Sequence, residues 1–348
     1  MAHRFTTVSV CPECAVELPA DIVFADDGMV CMEKRCDAHG EFWALVERDQ
    51  RLYALLRQSR APIYPGHFID ATTRCNLNCS YCYHPNRDSL DRQAGDIVRE
   101  ASLFNVPIHF IGGEPTLRQD LPDILRQLQT RHGAGMATNC IGLLNMDYLK
   151  ECLKYIGRQP TGEARFVMSF HLGQNEKVFY RVMENIRELD ERISGISCTL
   201  LSLDDLPTVL NLGWQYRDLI DCVRVHVATD IWQSQDHRQI FMSDILKYLA
   251  QLAGDSGKQF EWIPDQSLLM WTRAQYDDVP LAIVRWQTRH DIDLPYTPSQ
   301  PTYRTYTGEV AQLVHGFILN DAWERGWCKG RRVDELISRT PITAKGAV

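Results

Sequence analysis

Three cysteines lie close together in the segment Cys75-Asn-Leu-Asn-Cys79-Ser-Tyr-Cys82, with the spacing Cys-x3-Cys-x2-Cys. Three thiolates on one short loop can ligate three irons of a four-iron cluster and leave the fourth iron without a protein ligand. An open coordination position is where a small molecule can bind, as at catalytic metal sites. The apolar segment just before the loop, residues 67–71, is typical of a buried strand. We therefore expect the loop at the carboxyl end of a strand, where α/β folds place their chemistry.

A pair of glycines follows the next apolar segment of the chain. Residues 106–111 are predicted to form a second strand, which continues into Gly112-Gly113-Glu114-Pro115. Two glycines let the backbone approach another group closely, and a glutamate carboxylate can pair with a cation. The two motifs, in this order, indicate one site built from the loops of neighbouring strands.

Together the two motifs resemble the signature of the radical S-adenosylmethionine (radical SAM) superfamily. The aromatic residue Tyr81, directly before the third cysteine, is part of this resemblance. The resemblance implies a 4Fe-4S cluster held by Cys75, Cys79 and Cys82, with S-adenosyl-L-methionine as cosubstrate. The alternative is a cysteine-rich zinc loop beside an unrelated glycine turn.

The same resemblance implies which residues hold the cosubstrate. The loop Gly112–Pro115 would bind the methionyl ammonium group through its backbone and the Glu114 carboxylate, and Tyr81 would lie near the adenine. Asn139 and Ser169, near the ends of the third and fourth predicted strands, would face the ribose and carboxylate. Turn chemistry and ordinary strand polarity would also explain these two residues. No catalytic residue is predicted beyond the cluster and this cosubstrate site.

The chain around and beyond the cysteine loop alternates apolar strands with amphipathic helices. Six strands are predicted, at residues 67–71, 106–111, 135–138, 165–171, 196–201 and 222–227. Such alternation implies a parallel α/β sheet, and the resemblance implies a partial (βα)6 barrel over residues 66–253. Residues 254–348 are expected to form an α+β extension that covers the barrel, with strands at Phe260–Ile263 and Pro280–Trp286 and a helix within 310–323. No further cluster is predicted there.

A second group of cysteines precedes the barrel and forms two short hooks. The hooks are Cys11-Pro-Glu-Cys14 and Cys36-Asp-Ala-His39, and the gap between them contains the turn signal Asp26-Asp27-Gly28. Two such hooks can close a tetrahedral site of thiolates and an imidazole. We expect residues 1–50 to form a rubredoxin-like or zinc-ribbon-like knuckle that binds zinc or mononuclear iron. Its apolar core is small, so a metal would supply much of its folding energy. Cys31 is an alternative to His39, and free thiols are the alternative to a site.

Composition limits the remaining possibilities. The 348 residues carry a net charge of −8, which argues against a chain devoted to nucleic acid. No apolar run has the length of a membrane span, and the amino terminus lacks a signal-peptide pattern, so a cytoplasmic location is expected. The 12 cysteines would not persist as disulfides in that reducing compartment.

Individual residues outside the motifs carry weaker signals. Arg224 and His226 share one face of the sixth predicted strand, where cations would suit an anionic substrate. His171 either faces substrate or is a hydrogen-bonded structural histidine. Cys140 either lines the cavity or is a buried, inert thiol, and Cys152 is expected to be a core residue.

The predicted function is a radical SAM enzyme that forms a 5′-deoxyadenosyl radical and abstracts hydrogen from a small polar metabolite. A flavodoxin- or ferredoxin-type protein would donate the electron. The amino-terminal hooks also resemble a branch with archaeal members that act on pterins and membrane lipids, although residues 46–67 lack the cysteine-rich insert of those relatives. The alternatives are radical modification of a peptide, protein or lipid, by carbon–carbon bond formation or methylation, and a non-catalytic iron–sulfur sensor. A sensor has no need of an ammonium-binding Glu114.

Overall fold

The computed structural model describes most of the chain in nine stretches, which are residues 3–14, 16–57, 67–82, 91–102, 107–129, 133–160, 162–227, 240–263 and 271–284. These residues belong to two units, one ending at Val46 and the other beginning at Glu47. Each unit has its own sheet. Among the helices in these stretches, none has both the length and the apolar character to cross a membrane.

The first unit is a four-stranded sheet in the order β1-β2-β3-β4. Its strands are β1 (His3–Val10), β2 (Glu17–Phe24), β3 (Val30–Cys36) and β4 (Gly40–Glu47). The predicted hairpin is present, since β2 and β3 pair in antiparallel register with Val23 opposite Cys31. Gly28 has φ +88° in the turn, a conformation that glycine adopts without steric cost. β1 and β4 were not predicted.

The second unit is a nine-stranded sheet in the order β11-β12-β13-β10-β9-β8-β7-β6-β5. Its strands are β5 (His67–Thr72), β6 (Ile108–Gly112), β7 (Ala134–Thr138), β8 (Ala164–Phe170), β9 (Ile193–Leu200), β10 (Ile220–Val227), β11 (Phe260–Ile263), β12 (Trp271–Tyr276) and β13 (Val279–Val284). Its helices are α1 (Gln50–Arg57), α2 (Ala94–Ala101), α3 (Leu121–Leu128), α4 (Met146–Tyr155), α5 (Glu176–Glu188), α6 (Leu206–Gln215) and α7 (Met242–Ser256). The neighbouring pairs from β5 to β10 are all parallel. The predicted α/β class with six parallel strands is confirmed.

One face of this sheet is apolar and covered by helices, and the other is more polar. On β8, Phe166, Met168 and Phe170 are buried, whereas Ser169 between them is partly exposed. Phe170 packs edge-on against Phe179 of α5, with ring centroids 5.0 Å apart. Burying one such ring contributes about 1.5–3 kcal/mol. The alternation therefore fixes which residues of each strand face away from the helices.

The strands after residue 254 continue the same sheet. β13 pairs with β10 in parallel register, and β12 and β11 follow in antiparallel register. The strand predicted at Phe260–Ile263 is β11, the one predicted from Pro280 is β13, and β12 was not predicted. The helix predicted within 310–323 lies outside the described residues. The boundary at residue 254 stays a prediction.

Candidate functional site

The cysteine loop and the glycine loop meet backbone to backbone at the carboxyl ends of β5 and β6. The Gly113 amide donates to the Thr72 carbonyl at 2.8 Å, and the Glu114 amide donates to the Arg74 carbonyl at 2.7 Å. A Cβ on Gly113 would lie 2.1 Å from the Arg74 carbonyl oxygen. Gly112, with φ +114°, would place a Cβ 2.2 Å from the Thr72 carbonyl oxygen. Only glycine fits at each of these two positions. The two glycines therefore let the backbone after β6 pack directly against the backbone that leads into the cysteine loop.

An ion pair anchors the segment that enters the cysteine loop. The Arg74 guanidinium donates to both carboxylate oxygens of Asp91, at 3.0 and 2.5 Å. Asp91 also accepts a hydrogen bond from the Thr72 hydroxyl at 2.5 Å. The hydrogen bond from Arg74 lowers the pKa of the Asp91 carboxyl. A two-point contact of this kind fixes orientation as well as distance, so it holds the backbone directly before Cys75.

The second cysteine of the loop is the most enclosed of the three. Cys79 is buried, with its sulfur 3.4 Å from Oε1 of Gln174 and 3.7 Å from Nδ1 of His171. Burial raises the pKa of the Cys79 thiol, and negative charge on Cys82 and Cys75 raises it further. The three thiols are therefore close enough to interact electrically, and ligation to iron would offset the cost of holding them as thiolates together.

Tyr81 is fixed by a histidine from the end of β8. The Tyr81 hydroxyl lies 2.8 Å from Nδ1 of His171, and the two rings are stacked with centroids 6.0 Å apart. Burial lowers the pKa of His171 to about 4, so the imidazole is neutral at pH 7 and Nδ1 can accept a hydrogen bond from the hydroxyl. Burial also raises the pKa of Tyr81. The contact of Tyr81 with adenine stays a prediction.

Glu114 is fully enclosed by the chain. Its Oε1 accepts hydrogen bonds from the Thr116 amide at 2.9 Å, the Thr116 hydroxyl at 2.5 Å and the Thr138 hydroxyl at 2.6 Å. Its Oε2 accepts from the Asn139 amide at 2.6 Å. Burial raises the pKa of this carboxyl, and the four hydrogen bonds act in the opposite direction. Glu114 thus ties the loop after β6 to the end of β7, and its pairing with an ammonium group stays a prediction.

Asn139 connects the same strand end to the cysteine loop. Its side-chain amide donates to Oδ1 of Asn76 at 2.7 Å and lies 3.9 Å from the Cys75 sulfur. Its Oδ1 accepts from the Ile141 amide at 3.1 Å. The side chain is therefore engaged by the protein, and its predicted contact with the cosubstrate stays a prediction. Cys140, which follows, is buried and has φ +63°.

Asn175, which sequence reasoning missed, links the ends of β7 and β8. This buried side chain donates to the backbone carbonyls of Asn139 at 2.9 Å and Ser169 at 2.8 Å. It accepts a hydrogen bond from the His171 amide at 2.8 Å. Asn175 directly precedes α5, where an asparagine is a typical helix cap. The sequence therefore gave no reason to expect that its side chain links two strand ends. Pro115, the last residue of the glycine motif, is buried at the start of a short 3-10 turn.

The amino-terminal hooks converge on one point. The ligand atoms of Cys11, Cys14, Cys36 and His39 all lie within 4.8 Å of one another. The imidazole Nδ1 of His39 is 3.6 Å from the sulfur of Cys11 and 3.5 Å from that of Cys36. The hydrogen bond from His39 lowers the pKa of Cys36 to about 6, which favours the thiolate that a metal needs. Cys31 is not in this group.

The donor sets of the two cysteine groups fit different metal centres. Across the part of the chain that the structure describes, the amino-terminal hooks are the only three or more donors gathered this tightly. The sulfurs of Cys75, Cys79 and Cys82 are therefore spread more widely than one ion requires. A multi-iron cluster uses one thiolate for each of several irons, so this spread fits a cluster.

Comparisons with known proteins give one family match over each group of cysteines. Residues 69–206 match the family model "Radical SAM superfamily", and residues 4–48 match "HMPTM N-terminal zinc ribbon domain". The first match places a radical SAM domain at residues 69–206, and the segment before it, residues 4–48, is similar to a zinc ribbon.

Similar proteins include 7,8-dihydro-6-hydroxymethylpterin dimethyltransferase of Methanocaldococcus jannaschii, with 31% identity over 42% of this chain and 36% of that protein. A probable GTP 3′,8-cyclase of Archaeoglobus fulgidus is 36% identical over 37% of this chain and 42% of that protein. The alignments thus span well under half of these relatives. The crystal structure of Streptococcus suis SuiB bound to S-adenosylmethionine matches with a TM-score of 0.43 and 14% identity, over 58% of this chain and 51% of that one.

Proposed function

We propose that this protein reductively cleaves S-adenosylmethionine at a 4Fe-4S cluster on Cys75, Cys79 and Cys82, and that it acts on a small polar metabolite. The observation that carries the proposal is the backbone contact between the cysteine loop and the glycine loop, where the Gly113 amide bonds the Thr72 carbonyl at 2.8 Å. Two signature motifs that are distant in sequence form one site. A sensor that only binds a cluster would not need the second motif.

In the proposed reaction, the cluster and S-adenosylmethionine supply the redox chemistry, and the residues of the chain hold and orient them. When bound, the reduced cluster supplies one electron to S-adenosylmethionine, which yields methionine and a 5′-deoxyadenosyl radical that takes a hydrogen atom from the substrate. The three cysteines hold the cluster, and the Gly112–Pro115 loop supports the ammonium side of the cosubstrate. His171 orients Tyr81 through their hydrogen bond of 2.8 Å. Burial of Cys79 and Glu114 would limit the access of water to their part of the site.

The surroundings that this function requires are also proposals. All eleven cysteines in the described stretches are free thiols, which suits a reducing compartment such as the cytoplasm. We expect a flavodoxin- or ferredoxin-type donor, because the chain needs a low-potential electron from outside. Zinc is the metal we assign to the knuckle, on its mixed thiolate and imidazole donors.

The decisive test is formation of 5′-deoxyadenosine by the anaerobically reconstituted, dithionite-reduced protein supplied with S-adenosylmethionine. We expect cleavage that depends on reductant, with methionine and 5′-deoxyadenosine in equal amounts. Cys152→Ala is the control, because this thiol is buried in α4 and burial raises its pKa to about 12. Turnover to S-adenosylhomocysteine without 5′-deoxyadenosine would contradict the proposal.

A second candidate is methylation of a pterin by the same radical chemistry. Two findings favour it: the zinc ribbon model over residues 4–48 and the similarity to a pterin dimethyltransferase. Incubation of 7,8-dihydro-6-hydroxymethylpterin with protein and methyl-labelled S-adenosylmethionine would test it by mass spectrometry. Label in the pterin supports this candidate, and unchanged pterin alongside 5′-deoxyadenosine formation eliminates it.

A further inference from the structure

Two side chains contact the cysteine loop from the ends of neighbouring strands, β7 and β8. The Asn139 side-chain amide donates to Oδ1 of Asn76 at 2.7 Å, in the first half of the loop. Nδ1 of His171 accepts a hydrogen bond from the Tyr81 hydroxyl at 2.8 Å, in the second half. The loop is therefore held on both sides of Cys79, and its shape depends on where Asn139 and His171 are placed.

Both of these residues lie just beyond the strands of the sheet. β7 ends at Thr138 and β8 ends at Phe170, so Asn139 and His171 are the first residues after their strands. Backbone groups beyond a strand end need hydrogen-bond partners other than the neighbouring strand. The direction in which the two side chains leave the sheet therefore depends on the group that binds the backbone at these strand ends.

Asn175 binds the backbone at both strand ends. Its side-chain amide donates to the carbonyl oxygens of Asn139 at 2.9 Å and Ser169 at 2.8 Å. Its Oδ1 accepts a hydrogen bond from the His171 amide at 2.8 Å. Asn175 is buried, so loss of its side chain would leave these backbone groups unpaired away from water, which is costly. One side chain thus fixes the backbone of both residues that contact the loop.

Asn175 has the position of a helix cap, but its side chain is used differently. It directly precedes α5 and makes no side-chain hydrogen bond to the first amides of that helix. Asn145, which precedes α4, shows the contrast, because its Oδ1 accepts from the amides of Asp147 and Tyr148. The two donors and one acceptor of Asn175 go to strand ends instead. Aspartate has the same shape but lacks the donors, and leucine lacks both donor and acceptor.

We propose that Asn175 is a positioning residue of the cosubstrate site, which sets the shape of the cysteine loop through Asn139 and His171. The His171 backbone places the imidazole that orients Tyr81, and the Asn139 backbone places the amide that holds Asn76. Asn175 therefore acts on S-adenosylmethionine binding only through these two contacts. The proposal rests on the proposed function in assigning S-adenosylmethionine to this site.

The test measures the dissociation constant of S-adenosylmethionine by calorimetry on the anaerobically reconstituted protein, without reductant, so that no turnover occurs. Asn175→Ala should weaken binding by about tenfold, because residues in one hydrogen-bond network are coupled by energies of that order. Cluster iron should stay at the wild-type level. The effect should shrink in a Tyr81→Phe background, which loses only the hydroxyl. It should shrink again, to about twofold or less, when Asn76→Ala is added to that background.

Two further variants separate positioning from general stability. Asn185→Ala is the matched control, because Asn185 is a second buried asparagine, within α5. It should lower the melting temperature and leave the dissociation constant unchanged. If Asn175→Ala does not fold, Asn175→Asp takes its place, since it keeps the side-chain volume and the acceptor for the His171 amide. The same shrinkage in the two backgrounds is expected from it.

The possible failures are distinguishable. Unchanged affinity in Asn175→Ala, an equal loss in Asn185→Ala, or an effect of Asn175→Ala that stays undiminished in the Tyr81→Phe, Asn76→Ala background would overturn the positioning role alone. Wild-type protein that binds no S-adenosylmethionine would overturn both this inference and the proposed function. Binding that depends on Asn175 as expected, in a protein that forms no 5′-deoxyadenosine under reduction, would overturn the proposed function alone.

Discussion

The two cysteine groups of this protein differ in how completely the chain surrounds a metal. Cys11, Cys14, Cys36 and His39 bring four donor atoms within 4.8 Å of one another, which would complete the tetrahedral shell of a bound metal ion and leave no position for a further ligand. The thiols of the cysteine loop number three and are spread more widely. Around that loop the protein provides polar side chains, such as His171 and Gln174. We propose from this difference that the first group stabilises structure and the second performs chemistry.

The largest effect is expected from loss of a cluster ligand. Cys79→Ala should abolish 5′-deoxyadenosine formation and reduce cluster iron to background, because a cluster missing one of three protein thiolates is not retained. Zinc content should stay at the wild-type level. Iron and zinc analysis on the same sample checks both. A Cys79→Ala protein that kept its iron would show that the wide spacing of the three thiols has been misinterpreted.

The second-largest effect is expected at the amino-terminal hooks. There the pattern should be reversed, with zinc lost and cluster iron kept. Cys14→Ala should lose zinc and lower the melting temperature, because the buried cluster at the site, formed by Cys11, Leu18 and Cys36, is small and a metal there would supply much of the local folding energy. Cluster iron should be retained. Cys31→Ala is the matched control, since this buried thiol of β3 lies outside the donor group. A stable Cys14→Ala protein that has lost turnover would show that the amino-terminal metal site is catalytic.

Glu114 should give an intermediate effect that separates structural support from cosubstrate binding. In Glu114→Gln, the amide nitrogen cannot accept one of the hydrogen bonds donated by Thr116, Thr138 and Asn139. We expect the free energy of unfolding to fall by about 1–3 kcal/mol, measured by urea denaturation without S-adenosylmethionine. Glu188→Gln, on the exposed end of α5, should change it little. Unchanged stability with weakened cosubstrate binding would favour direct pairing with the ammonium group.

The smallest effect is expected at the ion pair before the cysteine loop, and it should depend on pH. Because Arg74 lowers the pKa of Asp91, the stabilisation is present above the unfolded carboxyl pKa and is lost as pH falls through the folded value. Asp91→Asn should reduce stability by about 1 kcal/mol at pH 7, and the difference should shrink below about pH 4. Asp96→Asn, which removes an exposed pair with Arg99, is the matched control for loss of one carboxylate. A difference that persists in acid would mean that charge is not its cause.

The sequence predicted β5 to β10 because each is an apolar run between amphipathic helices. It did not predict β1, β4 or β12, whose residues alternate less clearly and gain their strand structure from pairing with neighbours. The cysteines and glycines of the site were recognisable from local spacing. The roles of Thr138 and Asn175 were not, because polar residues beside a turn have the same pattern whether they cap a helix or bind a distant loop.

The backbone contact between the two loops sets a rule for transplanting this site into another protein. With the Gly113 Cβ position only 2.1 Å from the Arg74 carbonyl oxygen, neither loop has its working shape without the other. A graft of residues 75–82 alone onto a different parallel sheet would carry neither the carbonyls of Thr72 and Arg74 nor the amides of Gly113 and Glu114 that bond them. Thr72–Arg74 and Gly112–Glu114 must therefore move together, as one heritable module made from two distant stretches of the gene.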